Sequence, residues 1–448
     1  MLQYKYSYVM TRKWIAGSSA TEIAAAIERG IHGGRADPGH ALPTVRDLAT
    51  TLRVSPATVA AAYKLLRARG LIAGQGRQGT RVSRRPPAPV GSASAPVAAG
   101  TIDLATGNPD SELLPPLEGA LRAINPSPRL YGEAANSSAL VAFAAAEFEE
   151  DGIPGDAIAI VSGALDGIER VLREALRPGD RVAIEDPSFP GVQDLITASG
   201  WSAVPFEVDA DGPVPGALER ALASRTRAVI VTPRAQNPTG ACITTARAGE
   251  LRQRLKRFPD VVLIENDYAG PVAGSPAVTL RDAARQRWVV VRSTSKFLGP
   301  DLRLAVMAGD SLTVGRVQGR QGLGMRWVSH ILQQLVLALW SDPANGRRVA
   351  RAADVYTQRR TALVAALADR GIATQASSGL NLWVPVSDES RIVRALAERG
   401  WAVAAGERFR LRTPPGIRVT CSTLEPADGA RFAESLAAAL APSGSGFA

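Results

Sequence analysis

Over roughly the first eighty positions the apolar residues repeat at helical spacing, and from residue 101 onward they gather in short, nearly continuous runs. Residues 20–33 place Ile23, Ile27 and Ile31 on one helical face, and Gly33-Gly34 closes that helix. Thr44 predicts the N-cap of a second helix running to about Leu52, with Asp47 three residues on as a variant of the capping box. Ser55 predicts the cap of a third helix, Pro56 to Arg69, which opens on proline, ends at Gly70 and turns Val59, Ala62 and Leu66 toward a core. Only Arg53-Val54 separates these two, which makes a helix-turn-helix. Beyond Gly70, Leu71-Ile72-Ala73 and Thr80-Arg81-Val82 flank a Gly-rich basic turn, Gly74 to Gly79, and predict a β-hairpin that would serve as a wing.

Residues 83–100, SRRPPAPVGSASAPVAAG, have little to bury and predict a linker. The expected organisation is therefore a first domain over 1–82, a linker over 83–100 and a second domain over 101–448. In the second domain, apolar runs at 157–161, 181–184, 228–231, 261–264 and 288–291 alternate with helical stretches. Strands apolar on both faces indicate a mostly parallel sheet covered by helices on each side, an α/β fold. A long helical region near 340–370 then leads to strands at 380–386 and 417–421, which predict a small C-terminal α+β subdomain.

Charge follows the same division. The net charge is +10, and residues 1–85 hold 14 Lys and Arg against four acids, so the rest of the chain is balanced at 38 basic and 38 acidic residues. A small basic module joined to a neutral larger one fits a phosphate-backbone binder attached to a ligand domain. The two cysteines, Cys242 and Cys421, and the three histidines are too scattered for a disulfide framework or a metal site, so no metal is expected. No apolar run approaches the ~18 to 20 residues that span a bilayer, and the start lacks the apolar core of a secretory signal. A cytoplasmic protein without a membrane partner is expected. The pattern assigns no role to residues 1–18.

The segment Leu42-Pro43-Thr44-Val45-Arg46-Asp47-Leu48-Ala49, the helix from Ser55 through Tyr63, and the Gly70-Leu71-Ile72 hairpin entry resemble the winged helix of the GntR family over about residues 20–82. The resemblance implies binding of double-stranded DNA, with the start of the third helix in the major groove and the wing in the minor groove. By that resemblance Arg46, Ser55, Thr58 and Tyr63 contact DNA from the helices, and Arg77 and Gly79 from the wing. Pro56 stands where the family often has arginine, which removes one contact.

Five segments of the second domain carry a further chemistry. Ser293-Thr294-Ser295-Lys296 follows the run at 288–291, and Arg303 lies seven residues beyond the lysine. Glu265-Asn266-Asp267-Tyr268 follows the run at 261–264, and Asn237-Pro238-Thr239-Gly240 follows that at 228–231. Gly163, Ala164 and Leu165 open a helix after the run at 157–161, where free N–H groups receive phosphate. Asp186-Pro187-Ser188-Phe189 follows the run at 181–184. A lysine amine, a buried acid, phosphate donors and an apolar surface are what pyridoxal phosphate requires of a protein. Taken singly each residue has a plainer reading, as a surface charge, a cap, a turn or core packing.

In this order the segments resemble the fold-type-I aminotransferases. The resemblance implies that Lys296 forms the internal aldimine and is the catalytic base, that Asp267 meets the pyridine nitrogen, and that Asn237 and Tyr268 meet the phenolic oxygen. It implies Ser293, Ser295 and Arg303 at the phosphate and Phe189 against the ring. Tyr131 would reach the phosphate of a neighbouring subunit, hence a homodimer, and Arg418 would grip the α-carboxylate of an amino acid.

A GntR-type winged helix, a linker and an aminotransferase-like domain together resemble the MocR-type regulators across nearly the whole chain. The function implied is a pyridoxal-phosphate-dependent, DNA-binding transcription regulator that senses an amino acid, an amine or the cofactor itself through an aldimine at Lys296. A sensor of the cofactor that controls vitamin B6 genes is a subclass of that reading. The alternative is an active aminotransferase that carries a DNA-binding domain.

Overall fold

The computed structural model describes residues 14–37, 39–68, 71–74, 79–82, 100–125, 127–374 and 376–441. They form two compact units, one N-terminal and one holding most of the chain.

In the N-terminal unit, α1 (Ala20–His32), α2 (Val45–Leu52) and α3 (Pro56–Ala68) are followed by the hairpin strands β1 (Ile72–Gly74) and β2 (Thr80–Val82). The caps are local and explicit. Ser19 Oγ accepts from Glu22 N at 3.2 Å while the Glu22 carboxylate accepts from Ser19 N at 3.3 Å, a full capping box that the sequence reading passed over. Thr44 caps α2 and Ser55 caps α3, as their spacing predicts. The turn between α2 and α3 puts Arg53 in the left-handed region at φ 54°, a conformation that disfavours a side chain. Ile23 and Ile27 pack against Leu48, Val59, Leu66 and Ile72 in one core. Trp14 and Ile15, without a role in the sequence reading, belong to this core: Ile15 is buried, and the Trp14 ring lies so close to Gly30 that any side chain there would collide with it. β1 and β2 pair antiparallel with Ile72 opposite Val82.

The larger unit contains two sheets. The first has eight strands: β4 (Ile158–Val161), β5 (Arg181–Asp186), β6 (Ser202–Asp209), β7 (Gly212–Pro213), β8 (Thr226–Val231), β9 (Val262–Asp267), β10 (Trp288–Ser293) and β11 (Ala305–Gly309), ordered β4-β11-β10-β9-β8-β5-β6-β7. β8, β9 and β10 are parallel neighbours, and β11 runs antiparallel between β10 and β4. β4, β9 and β10 are buried along their whole length, which is why they read as unbroken apolar runs.

The second sheet orders β12 (Asn381–Pro385), β14 (Gly416–Thr420), β13 (Trp401–Ala405) and β3 (Ile102–Leu104). β3 comes from the start of the unit and pairs parallel with β13, so the small subdomain is closed by a strand some three hundred residues away in sequence. The long helix Pro343–Ala368 joins the two parts, with Val349 and Tyr356 in the large core and Leu363 and Leu367 in the small one.

Candidate cofactor site and DNA-binding face

In open α/β sheets ligands collect beyond the carboxyl ends of the parallel strands. The cleft found there, about 210 Å³, is lined by Ala164 and Leu165 after β4, Phe189 after β5, Thr232 and Asn237 after β8, Asn266 and Tyr268 at the end of β9, and Lys296 after β10. Thr106 and Gly107, just past β3, and Arg418 on β14 complete it. The volume is below the ~300–1,000 Å³ of drug-sized sites and suits a single substituted ring. A larger groove of about 840 Å³, lined by Asp186, Glu207, Asp209 and Trp383 among others, has no lysine or arginine in its lining and does not match an anionic ligand.

The cleft is rich in buried, uncompensated positive charge. The Lys296 Nζ donates to the carbonyl of Gly107 at 2.6 Å, and burial, reinforced by Arg418, pushes its amine down to about 8. Arg418 is buried, and its guanidinium stacks 4.8 Å from the Phe409 ring. It donates to the carbonyl of Ala105 and, at 3.4 Å, to Asn237 Oδ1, while its Nε has no partner. Burial lowers its pKa to about 10. No carboxylate within the described residues pairs with either group, so the cleft is built for an anion it does not itself supply.

At one end Gly163, with φ +93°, precedes the helix Ala164–Ala175, whose N-terminus has no side-chain cap. A Cβ on Gly163 would stand 2.9 Å from an Arg303 nitrogen, so arginine and helix N-terminus converge on one spot. Ser293 Oγ donates to Ser295 Oγ at 3.1 Å and accepts from Ser295 N at 3.2 Å, beside Lys296. Tyr268 donates its hydroxyl to the carbonyl of Ala235 at 2.6 Å, with Asn381 Nδ2 at 3.5 Å, and burial raises its pKa. The Phe189 loop is tied to the small subdomain: Asp186 accepts from the N–H groups of Leu411, Arg412 and Thr413, and Ser188 N donates to the carbonyl of Phe409. Tyr131 lies outside its own chain's cleft, 81% exposed, with its ring edge-on to Trp327 and under Arg326.

Asp267 departs from expectation. It does not line the cleft; its carboxylate is held by Arg234 through Nε and Nη2 at 2.8 and 2.9 Å and by Arg292 Nε at 2.7 Å. Burial alone would raise its pKa, but the two guanidiniums outweigh burial and hold the carboxyl far below its usual range. The reason is strand parity. Successive residues of a strand face opposite sides, so on β9 Glu265 and Asp267 share the face away from the cleft while Asn266 faces into it. Asn266, Thr232, Thr106 and Gly107 were missed by the sequence reading. Asn266 was legible from its offset of two from Tyr268; the loop after β3 was not, because its strand belongs to the distant subdomain.

On the N-terminal unit Arg46 is exposed on α2, and Ser55 and Thr58 stand at the start of α3, their hydroxyls 2.8 Å apart. Gly79 is exposed with φ +79° at the foot of the wing, and Arg77 lies outside the described residues. Tyr63 corrects the expectation of a DNA contact: it is wholly buried, and its hydroxyl donates to the carbonyl of Pro43 at 2.6 Å. It lies on the α3 face that packs, one turn on from Val59.

Pyridoxal phosphate asks for an amine, phosphate donors and polar partners around a ring, and the residues here fit it: Lys296 would meet the aldehyde, Arg303 with the Gly163 helix terminus would hold the phosphate, and Asn237 and Tyr268 would meet the phenolic oxygen.

Comparisons with known proteins agree with both units. The family described as aminotransferase class I and II matches residues 99–436, and the gntR family of bacterial regulatory proteins matches residues 19–82. The vitamin B6 salvage pathway transcriptional repressor PtsJ of Salmonella typhimurium is 41% identical over 416 residues, covering 92% of this chain and 96% of that protein. The HTH-type pyridoxine biosynthesis transcriptional regulator PdxR of Corynebacterium glutamicum is 25% identical, with 79% of each chain covered. Among solved structures, the kynurenine aminotransferase of Pyrococcus horikoshii superposes with a TM-score of 0.69 at 20% identity, covering 77% of this chain and 91% of that one, a likeness of fold. A winged helix of the gntR family joined to a domain of the aminotransferase class I and II family is the MocR arrangement, and this chain belongs to that group of transcription regulators.

Proposed function

We propose that the chain is a transcriptional repressor of vitamin B6 salvage genes that binds DNA through residues 1–82 and reads pyridoxal phosphate, or an amine that competes for it, in the domain at 101–448. The observation that carries this is the pairing of the two units. The charge excess lies wholly within residues 1–85, the winged helix and the start of the linker, and the cleft holds a lysine and an arginine with no acidic residue in its lining. The 41% identical relative named as a B6-salvage repressor supports the gene class.

Bound pyridoxal phosphate supplies an aldehyde that reacts reversibly with amines. Lys296 is the chain's own amine for that aldehyde. Arg418 takes the carboxylate of an incoming amino acid, and the Phe189 and Phe409 loops, already hydrogen-bonded to each other, exclude water above it. A ligand that favours one arrangement of the small subdomain shifts operator affinity only through that difference. The chain acts in the cytoplasm as a homodimer, its exposed Leu117, Leu121, Leu130 and Tyr131 covered by the second copy. Arg46, Ser55, Thr58, Gly79 and Arg77 are the DNA-facing residues. Among the described residues no helix is long and apolar enough to cross a membrane.

A second reading, an active aminotransferase, draws on the Lys296 amine, lowered to about 8 by burial and by Arg418. One experiment separates the two: binding of the purified chain to labelled DNA from upstream of its own gene, with and without pyridoxal phosphate and a panel of amino acids. Specific binding that shifts with the cofactor supports the repressor; no preference over random DNA, with transamination by the same preparation, supports the enzyme.

A further inference from the structure

The loop between β13 and β14 is strung between two buried carboxylates that come from different parts of the chain. On the side of the small subdomain Glu389, at the start of the helix Glu389–Ala397, accepts from the N–H groups of Glu407 and Gly416 at 2.6 and 3.1 Å and from Arg410 Nε at 2.8 Å. From the large sheet Asp186, the last residue of β5, accepts from the N–H groups of Leu411, Arg412 and Thr413 at 2.8, 2.6 and 3.0 Å. Backbone donors cannot swing away as a side chain can, and hydrogen bonds to a carboxylate are roughly twice as strong as neutral ones, so the loop is held firmly from both sides. What the loop carries is Phe409, whose ring lies 4.8 Å from the Arg418 guanidinium. Ser188 N donates to the Phe409 carbonyl at 2.7 Å, and Phe189, the next residue, lines the cleft. Residues 186–189 thus join the cleft to the platform on which Arg418 rests.

On the reading of the cleft as a pyridoxal-phosphate site with Arg418 for a ligand carboxylate, we infer that Asp186 is a positioning residue for that arginine. By tying residues 411–413 to the large sheet it holds Phe409 against Arg418, and so sets how tightly the cleft takes ligands that bear a carboxylate. An aromatic face favours a buried guanidinium without neutralising it, which keeps the cation in place and leaves its charge for a ligand. An acid in the place of Phe409 would consume that charge. Ligands without a carboxylate make no demand on Arg418 and are indifferent to Asp186. The coupling runs both ways: if the tie to Asp186 strengthens carboxylate binding, a bound carboxylate strengthens the tie by the same factor.

The test compares L-alanine with ethylamine, the same amine without the carboxylate, each titrated into the full-length protein loaded with pyridoxal phosphate and followed by the cofactor absorption. Asp186→Asn is nearly isosteric, yet in either orientation its amide turns an N–H toward at least one of the three N–H donors. It is expected to raise the alanine concentration at half-saturation about tenfold and to leave that of ethylamine unchanged. Asp186→Asn combined with Arg418→Gln is expected to take alanine no more weakly than Arg418→Gln alone, since the aspartate acts through the arginine. An unchanged alanine titration, equal losses for alanine and ethylamine, or losses that multiply in the double variant overturn the inference. Should Asp186→Asn not fold, hydrogen exchange of the wild type gives the second reading: the amides of residues 411–413 are expected to exchange about tenfold more slowly with saturating alanine than with saturating ethylamine, and equal rates overturn it. A wild type that shows no visible cofactor absorption brings down the cofactor reading itself and is distinguishable from every result above.

Discussion

Two pairs of basic side chains lie on opposite faces of the same strand, β9, and they are built to opposite rules. Behind the strand, Arg234 and Arg292 are matched by Asp267 and Asp151 in a buried ion network. In front of it, Arg418 and Lys296 donate only to neutral acceptors and sit in each other's field, with Asp103 acting on Arg418 through its charge but forming no ion pair with it. A matched buried network is structural: it is satisfied by the chain and exerts no demand on a ligand. An unmatched one is incomplete until an anion arrives. Composition does not distinguish them, since both draw on basic residues next to apolar strands; only the side of the pleat does.

The largest effect should come from breaking the matched cluster. Asp267→Asn leaves two buried guanidiniums with Asp151 as their one remaining carboxylate and is expected to cost about 3–5 kcal/mol, read as a lower midpoint in urea unfolding. A variant of unchanged stability that fails to bind pyridoxal phosphate would instead return Asp267 to the ring. Next, Arg418→Gln removes a cation that forms no ion pair in the chain and keeps an amide able to donate toward Ala105 and Asn237. It should weaken displacement of the cofactor by amino acids roughly ten- to a hundredfold, with simple amines unaffected, measured by the change in cofactor absorption on titration. Equal loss for both ligand types would mean the arginine holds no carboxylate.

A smaller effect tests the field in the front cluster. With its amine pushed down to about 8, Lys296 is neutral at lower pH than a free lysine. Uptake of pyridoxal phosphate by the cofactor-free protein should therefore quicken as pH rises, by about tenfold per unit below pH 8, and level off above it. The sign for stability is the same: a depressed lysine binds fewer protons folded than unfolded, so its contribution rises with pH from about 8 to the ordinary lysine range. A rate that keeps climbing well past pH 9 would mean that the amine titrates normally. The smallest effect concerns a satisfied polar group in the winged helix. Tyr63→Phe forfeits the hydrogen bond to Pro43 and should cost about 1 kcal/mol by thermal unfolding while leaving DNA affinity unchanged.

Much of this was legible in one dimension. The three helices and hairpin of the N-terminal unit followed from caps and 3.6-residue spacing, because those interactions span only three or four residues. The buried strands of the large sheet announced themselves as apolar runs, and Lys296, Asn237, Phe189 and Tyr268 fell into the cleft because strand ends in a parallel sheet share one edge. Tyr63 and Asp267 were misplaced for a common reason. Each has the chemistry for a ligand contact, and which way it points depends on a helical face or a strand parity that its residue type does not encode.

What the sequence determined by itself was therefore the local order: two modules, their charge, and the loops that carry chemistry. Tertiary structure alone decided the pairings across distance. β3 crosses to the small subdomain and brings the Gly107 carbonyl to Lys296, the Arg418 guanidinium comes to rest over Phe409 without a carboxylate, and Asn266 turns inward while its neighbour turns out. These depend on which strands become neighbours and on which face of each is covered, and both are settled by burial of the whole core rather than by any one segment.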